Sequence, residues 1–491
     1  MRLALLVILS GAAGALGHAP FYLTPVALAG FAGFIWCVAQ RPTARGAAFT
    51  AWLGGTAYFM VVLHWIVEPF LVDAARHAWM APIFLIALPG GLALLWGAAG
   101  AMAAFFGANV RHRAIALVVT LSAWELARGY ILSGFPWALP SYVWIDTPII
   151  QFSSVTGPYG LTFLTLGLVA LPTLFVRWWI GALPVVALAL LSFWDRASVV
   201  DDAPLGQVRL VQPNAPQDEK WDPEKAHMFV RRMIAATAAP KGDVDMIVWP
   251  ETALPYRLDA AAPVLQRIAG DAEGVPVVLG INRSDAGRNY NAMIQLGATG
   301  APVDIYDKVR LVPYGEFIPF GHVVALFGIR SFAAQDGYGF TSGAGLRPIE
   351  TPLGTALPLI CYEAVFPQHL NDIGVRPDYI LQITNDAWFG NFSGPFQHFD
   401  QSRLRAIEQG LPVVRVANTG VSAVIDANGR VIESIGLNET GMRDVTVPGP
   451  RAATLYARTG DMPAFLLLAA CLGGLWWGRR RNAIAKPAAN G

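Results

Sequence analysis

Residues 357–364 read Leu357-Pro-Leu-Ile-Cys-Tyr-Glu-Ala364, an apolar strand that runs into a thiol and, two residues on, a carboxylate. Cys361 is the only cysteine between residues 195 and 462, while Cys37 and Cys471 lie inside apolar runs. A lone thiol has no partner for a structural disulfide, so Cys361 is either a buried, inert residue or a nucleophile. Outward from it the pattern repeats. Val208-Arg-Leu-Val-Gln, Asp245-Met-Ile-Val-Trp, Val275-Pro-Val-Val-Leu-Gly, Ala356-Leu-Pro-Leu-Ile and Tyr379-Ile-Leu-Gln-Ile-Thr read as short strands. Residues 222–238, 261–270 and 396–409 read as amphipathic helices between them. Asn428-Gly429, set between two apolar runs, is a hairpin turn signal. Strands alternating with helices predict a layered α/β domain of about 250 residues.

The rest of the chain is far more apolar. Of the 491 residues, 54% are hydrophobic and 14% charged, against roughly 25% charged in soluble domains. Apolar stretches of membrane-spanning length fall near 2–17, 24–40, 48–67, 81–106, 113–132, 158–176, 179–195 and 463–478. The sequence therefore predicts a multi-span helical membrane domain of eight transmembrane helices. Seven lie in residues 1–195, a polar domain occupies 196–462, and 463–491 hold the last helix with a basic tail. Arg41 and Arg45, Arg111 and Arg113, Arg177, and Arg479 to Arg481 follow spans two, four, six and eight. Positive charge marks the cytoplasmic side, so the polar domain is expected outside the inner membrane and the C-terminus inside. A net charge of +1 and the lack of a basic stripe argue against nucleic acid as a partner.

Glu125 and Arg128 lie three apart on the fifth span and are within reach of each other on one helix face. Three segments of the polar domain end a strand with a reactive group. Ile247-Val-Trp-Pro-Glu-Thr-Ala presents Glu251. Tyr306-Asp-Lys-Val-Arg-Leu-Val-Pro-Tyr-Gly-Glu-Phe presents Lys308 and, eight residues on, Glu316. The third holds Cys361. A thiol, a carboxylate to take its proton and an ammonium to stabilise an oxyanion suit acyl transfer. His398, in Gly394-Pro-Phe-Gln-His-Phe-Asp, is a rival base for Cys361, or else only caps or orients its helix. No Cys or His cluster has metal-ligand spacing.

Glu251 in WPET, Lys308 in YDKVRLVPYGEF, Cys361 in LICYE and the following TNDAWFG at 384–390 resemble the nitrilase, or carbon–nitrogen hydrolase, superfamily. Apolar spans on both sides of the domain, with NDAWFG and YARTGD near its end, make the chain similar to the membrane-embedded apolipoprotein N-acyltransferases of that superfamily. The resemblance implies an α-β-β-α sandwich bearing a Glu-Lys-Cys triad. In it Glu251 is general base, Lys308 stabilises the tetrahedral intermediate and Cys361 is the nucleophile. Glu316, Tyr362 and Glu363 match further active-site positions, and Trp221 and Asn291 two others. The implied partners are a phospholipid acyl donor, a diacylated apolipoprotein acceptor and the bacterial inner membrane, with no cofactor. The acyl group would pass through a Cys361 thioester to the α-amino group of a diacylglyceryl-cysteine. Rival readings are a membrane-bound amidase or nitrilase acting on a small amide, which shares the triad, and a transporter with an inert outer domain.

Overall fold

The computed structural model describes residues 2–175, 177–191, 203–318, 339–371 and 373–484. The end of the seventh predicted span, the start of the polar domain at 196 and the tail beyond 484 lie outside the described residues. Chain contacts divide the protein into two compact units, Met1–Ser198 with Leu455–Gly491, and Val199–Thr454.

The first unit is helical. Arg2–Ala15, Thr24–Ala39, Ala44–Val62, Ala81–Phe106, Val110–Arg128, Ser153–Leu174, Trp178–Leu191 and Met462–Ile484 fall where the eight apolar runs were read. Among the described residues, three helical stretches are long and apolar enough to cross a bilayer: Ala74–Phe106, Pro148–Leu174 and Met462–Arg481. Ala44–Val62 and His64–Leu71, bent by 67° at the break between them, pass the same test only when taken together as one span. Helix Val110–Arg128 differs because it carries Arg111, Arg113, Glu125 and Arg128. Small residues let the helices touch. A Cβ on Gly11 would lie 2.0 Å from the Gly54 carbonyl oxygen of the neighbouring helix, which only glycine avoids. The Glu125–Arg128 pair is buried and satisfied. Glu125 also accepts from Trp96 Nε1 at 2.7 Å, and Arg128 Nη1 donates to the Trp137 carbonyl at 2.8 Å. Arg128 thus fastens the segment after its own helix.

The second unit is a four-layered sandwich. Its strands are β1 (Gly206–Gln212), β2 (Met246–Val248), β3 (Val277–Asp285), β4 (Arg288–Leu296), β5 (Pro302–Asp307), β6 (Ile349–Thr351), β7 (Gly354–Ile360), β8 (Tyr379–Thr384), β9 (Val413–Ala417), β10 (Ser422–Ile425), β11 (Val431–Ile435) and β12 (Gly441–Val447). They form two six-stranded sheets, ordered β12-β1-β2-β3-β4-β5 and β11-β10-β9-β8-β7-β6. In each sheet three central strands run parallel, β1-β2-β3 and β7-β8-β9, and the flanking pairs are antiparallel. Alternation assigns the layers, because successive side chains point to opposite faces. Val208, Leu210, Met246 and Val248 of one sheet share a core with Ile360, Leu381, Ile383 and Val414 of the other. Ile247, Trp249 and Leu279 face outward onto Val230 and Met233 of helix Ala226–Ala238 and Leu265 and Ile268 of Ala262–Ala272. On the other side Leu357, Leu359 and Ile380 pack beneath Phe399 and Ala406 of helix Gly394–Gln409. This is the α-β-β-α sandwich that the resemblance implied.

The five strands read from the sequence are β1, β2, β3, β7 and β8, and the three helices begin within four residues of their expected starts. The Asn428-Gly429 turn joins β10 to β11, with Asp426 N donating to the Arg430 carbonyl and Gly429 at φ 78°.

Candidate active site

Glu251, Lys308 and Cys361 each follow the C-terminal end of a strand, β2, β5 and β7 respectively. Open α/β sheets present their ligand sites at such ends. The Trp249-Pro250 link after β2 passes over Gly280 of β3. Gly280 N donates to the Pro250 carbonyl at 3.1 Å, and Ala253 N to the Gly280 carbonyl at 2.8 Å. A Cβ at Gly280 would stand 2.6 Å from Glu251 Cα, so the missing side chain lets the Glu251 turn lie down on the sheet. Lys308 is set by its backbone, Lys308 N donating to the Asn291 carbonyl of β4 at 2.9 Å.

The side chains converge. Lys308 Nζ donates to Glu316 Oε1 at 2.9 Å and to Glu251 Oε1 at 3.3 Å. Asn291 Nδ2 reaches the same two oxygens, at 3.1 Å and 2.7 Å. Glu316 is held in turn by Val312 N on its Oε2 at 2.9 Å. Glu251, Lys308 and Cys361 are 5%, 1% and 5% exposed, so these charges act in a poorly solvated space. Burial alone would depress the Lys308 ammonium, but Glu251, Glu316 and then Cys361 outweigh it, and Lys308 is held firmly charged. Cys361 goes the other way. Burial first, then the Glu251 charge, push the thiol well above its ordinary range, against the pull of Lys308. The resting site therefore holds a neutral thiol beside an ion cluster.

Cys361 has φ 52°, a left-handed conformation that costs a non-glycine residue of order 1–3 kcal/mol. The strand is broken there, and a short 3-10 turn, Cys361–Val365, begins. Glu363 organises this turn. Its Oε1 accepts from Tyr306 Oη (2.9 Å), Val309 N (2.7 Å) and Arg310 N (3.1 Å), and its Oε2 from Ile360 N (2.7 Å). One carboxylate thus ties the cysteine turn of one sheet to the lysine segment of the other. Burial raises the Glu363 carboxyl above its usual range despite these donors, which pull it down. Tyr362 is buried and packs edge-on against Phe366 with ring centroids 5.0 Å apart.

Trp221 is 36% exposed and lines a small, mostly apolar cavity with Lys220, Phe229, Met233, Pro250 and Ala253. Its link to the cluster is its neighbour. Lys220 is buried, donates to the Glu251 carbonyl at 3.2 Å, and is lowered to about 8 by burial, against the charges of Glu251 and Cys361. Sequence reasoning missed Lys220, because Glu219-Lys-Trp-Asp reads as a polar loop that gives no sign of burial. It also missed the partners of His398. Asp386, inside the TNDAWFG stretch, and Arg415 of β9 are both fully buried against it. Among the described residues no group of three or more His, Cys, Asp or Glu is arranged to hold a metal ion.

Comparison with known proteins gives two family matches. Residues 207–455 match the carbon-nitrogen hydrolase family, and residues 10–171 match the apolipoprotein N-acyltransferase N-terminal domain. Three curated relatives are similar along nearly their whole length, each named apolipoprotein N-acyltransferase. That of Rhodopseudomonas palustris is 35% identical over 503 residues, covering 95% of this chain and 93% of its own. That of Caulobacter vibrioides is 36% identical, covering 94% and 92%. That of Brucella melitensis is 36% identical, covering 98% and 97%.

Proposed function

We propose, from the premise that this chain belongs to the apolipoprotein N-acyltransferase family, that it moves a fatty acyl chain from a membrane phospholipid to an apolipoprotein through a thioester on Cys361. The observation that carries this reading is the convergence of Lys308 and Asn291 on the Oε1 atoms of Glu251 and Glu316 beside a buried, neutral thiol. A thiol this hard to ionise needs a base at the moment of attack, and Glu251 supplies it. Glu251 takes the Cys361 proton as the sulfur adds to the ester carbonyl, and Lys308 stabilises the oxyanion that forms. The protonated Glu251 then gives its proton to the departing alkoxide, so that lysophospholipid leaves and the thioester remains. In the second half the α-amino group of a diacylglyceryl-cysteine attacks the thioester. Glu251 accepts a proton from the amine as the C–N bond forms and passes it to the sulfur as the C–S bond breaks, so that the amide leaves and the thiol and the carboxylate are both restored. Glu316 keeps Lys308 compensated while Glu251 changes charge, Asn291 aims both carboxylates, and Glu363 and Tyr362 support the cysteine turn. Trp221, at the apolar cavity, contributes to substrate binding.

This reading places the helical unit in the bacterial inner membrane with eight transmembrane helices, and the sandwich on the periplasmic side. The alternating arginine pattern of the loops supports that orientation. It takes 1–195 and 463–491 as the membrane part and 196–462 as the catalytic domain, with the C-terminus cytoplasmic. Both substrates are lipid-anchored, and holding them together supplies the positional advantage that favours transfer over hydrolysis. The test is a reconstituted assay with a synthetic diacylated lipopeptide and phospholipid vesicles. The expected product is the lipopeptide carrying one added acyl group on its α-amine. Free fatty acid as the sole product would mean that water is the acceptor and would replace transfer with hydrolysis.

A further inference from the structure

Behind Cys361, on the side of helix Gly394–Gln409, lies a buried polar group that the proposed chemistry does not use. His398 Nε2 stands 3.1 Å from the Cys361 carbonyl oxygen. A carbonyl oxygen only accepts, so Nε2 carries the hydrogen and donates it. The other ring nitrogen, Nδ1, lies 2.8 Å from Asp386 Oδ1 and 3.2 Å from Arg415 Nη2. Asp386 is fixed in turn by Arg415 Nη2 on Oδ2 at 2.7 Å and by the Thr384 hydroxyl on Oδ1 at 2.9 Å. Burial works against the Asp386 charge, but Arg415 and His398 outweigh it and hold the carboxyl far below its usual range. His398, Asp386 and Arg415 are all 0% exposed. Gly420 leaves the space for this packing, since a Cβ there would come within 2.2 Å of Asp386 Oδ2. The imidazole is therefore spent on orientation. Both of its nitrogens have neighbours other than the thiol, which removes it as the base that its sequence position suggested.

We infer that His398 is a positioning residue for the reaction, its Nε2–H gripping the Cys361 carbonyl so that the strained peptide at the nucleophile is fixed in one direction. The inference rests on the reading of Cys361 as the nucleophile. The grip matters because of where the strain lies. Cys361 sits at φ 52°, and Glu363 already holds the Ile360 N–H on the near side of the residue. His398 holds the carbonyl on the far side at 3.1 Å, closer than Gln382 Nε2, which donates to the same oxygen at 3.5 Å. A trans peptide turns the next N–H opposite to its carbonyl, so anchoring that oxygen also sets the Tyr362 N–H and the thiol that precedes it. Without His398 only the longer Gln382 contact remains on that oxygen and the residue can relax, and a displacement of about 1 Å at a reacting group costs roughly 100-fold in rate.

The test compares His398→Leu with His398→Gln, because glutamine offers one N–H in the place of Nε2 and leucine offers none. Thioester formation and transfer are measured on the full membrane-inserted protein, with kcat and KM read separately and thermal unfolding recorded for each variant. The expected result is a fall in kcat of about 100-fold for leucine with KM within about twofold. Glutamine should recover at least a tenth of wild-type kcat. A leucine variant with wild-type kcat overturns the inference, and so does an equal loss in both variants that follows their loss of folded protein. If the leucine variant does not fold, the folded glutamine variant decides, and a kcat below a hundredth of wild type contradicts the inference. Cys361→Ala in the same assay separates the two claims. Its retained activity would remove the nucleophile reading itself, whereas an inactive Cys361→Ala beside a fully active His398→Leu would remove only the role of His398.

Discussion

Asn291 of strand β4 donates its side-chain amide to Glu251 Oε1 at 2.7 Å, a shorter contact than the 3.3 Å from Lys308 to the same oxygen. The carboxylate proposed as base is thus aimed by a neutral amide more closely than by the cation beside it. Hydrogen bonds to charged groups contribute about 1.5–3 kcal/mol. Asn291→Leu is therefore expected to lower kcat by roughly 10- to 100-fold. KM should stay within about twofold, because nothing in this contact binds lipid. Steady-state kinetics with varied phospholipid separate the two.

The Cys361 thiol is raised by burial and by Glu251 and lowered by Lys308. Its alkylation by iodoacetamide should therefore still be climbing at about pH 9, beyond the ordinary cysteine midpoint of about 8.5. Glu251→Gln removes a negative neighbour and should move the rise to lower pH. Lys308→Met removes a positive one and should move it higher. A midpoint unmoved by either change would mean that the two charges do not reach the sulfur.

Gly280 offers a steric test of how Glu251 is placed. A methyl group there would meet Thr252 N at 2.5 Å and Glu251 Cα at 2.6 Å, both of them main-chain atoms that cannot rotate aside. Gly280→Ala is expected to lift the Glu251 turn from the sheet and to cost at least about 100-fold in kcat. Overpacking should also cost about 1–3 kcal/mol of stability. Activity and chemical denaturation of the one variant check both.

Asp386 links the buried network to acid stability. Its folded carboxyl lies below the unfolded value of about 3.9. The stability it contributes is thus fully present above that pH and is lost as pH falls through it toward the folded value. Asp386→Asn should be less stable than wild type at pH 7, and the difference should shrink below about pH 4. Unfolding midpoints across pH 3–7 test the sign.

The sequence made the layered domain legible because its central strands are continuous apolar runs, as buried parallel strands must be. The antiparallel strands were harder. Residues 288–296 form β4, yet Arg288-Asn-Tyr-Asn begins as polar as a loop, and β12 carries Arg443 and Asp444. Such flanking strands are fixed by pairing with a neighbour more than by their own apolar content. The residues of the site were legible where a reactive group ended an apolar strand, as with Glu251 and Cys361. Lys220, Asp386 and Arg415 gave no such sign. Their burial depends on partners far along the chain, such as Asp386 and Arg415, which are 29 residues apart and meet only once β9 lies beside β8.

The central claim is that an acyl group rests on Cys361. The most direct measurement is intact and peptide mass spectrometry of the purified protein after incubation with phospholipid and no acceptor. The account predicts one fatty-acyl mass on the peptide containing Cys361, removed by hydroxylamine and cleared when a diacylated lipopeptide is added. A protein that transfers acyl chains to the lipopeptide yet never carries the adduct, or carries it elsewhere, would contradict the account.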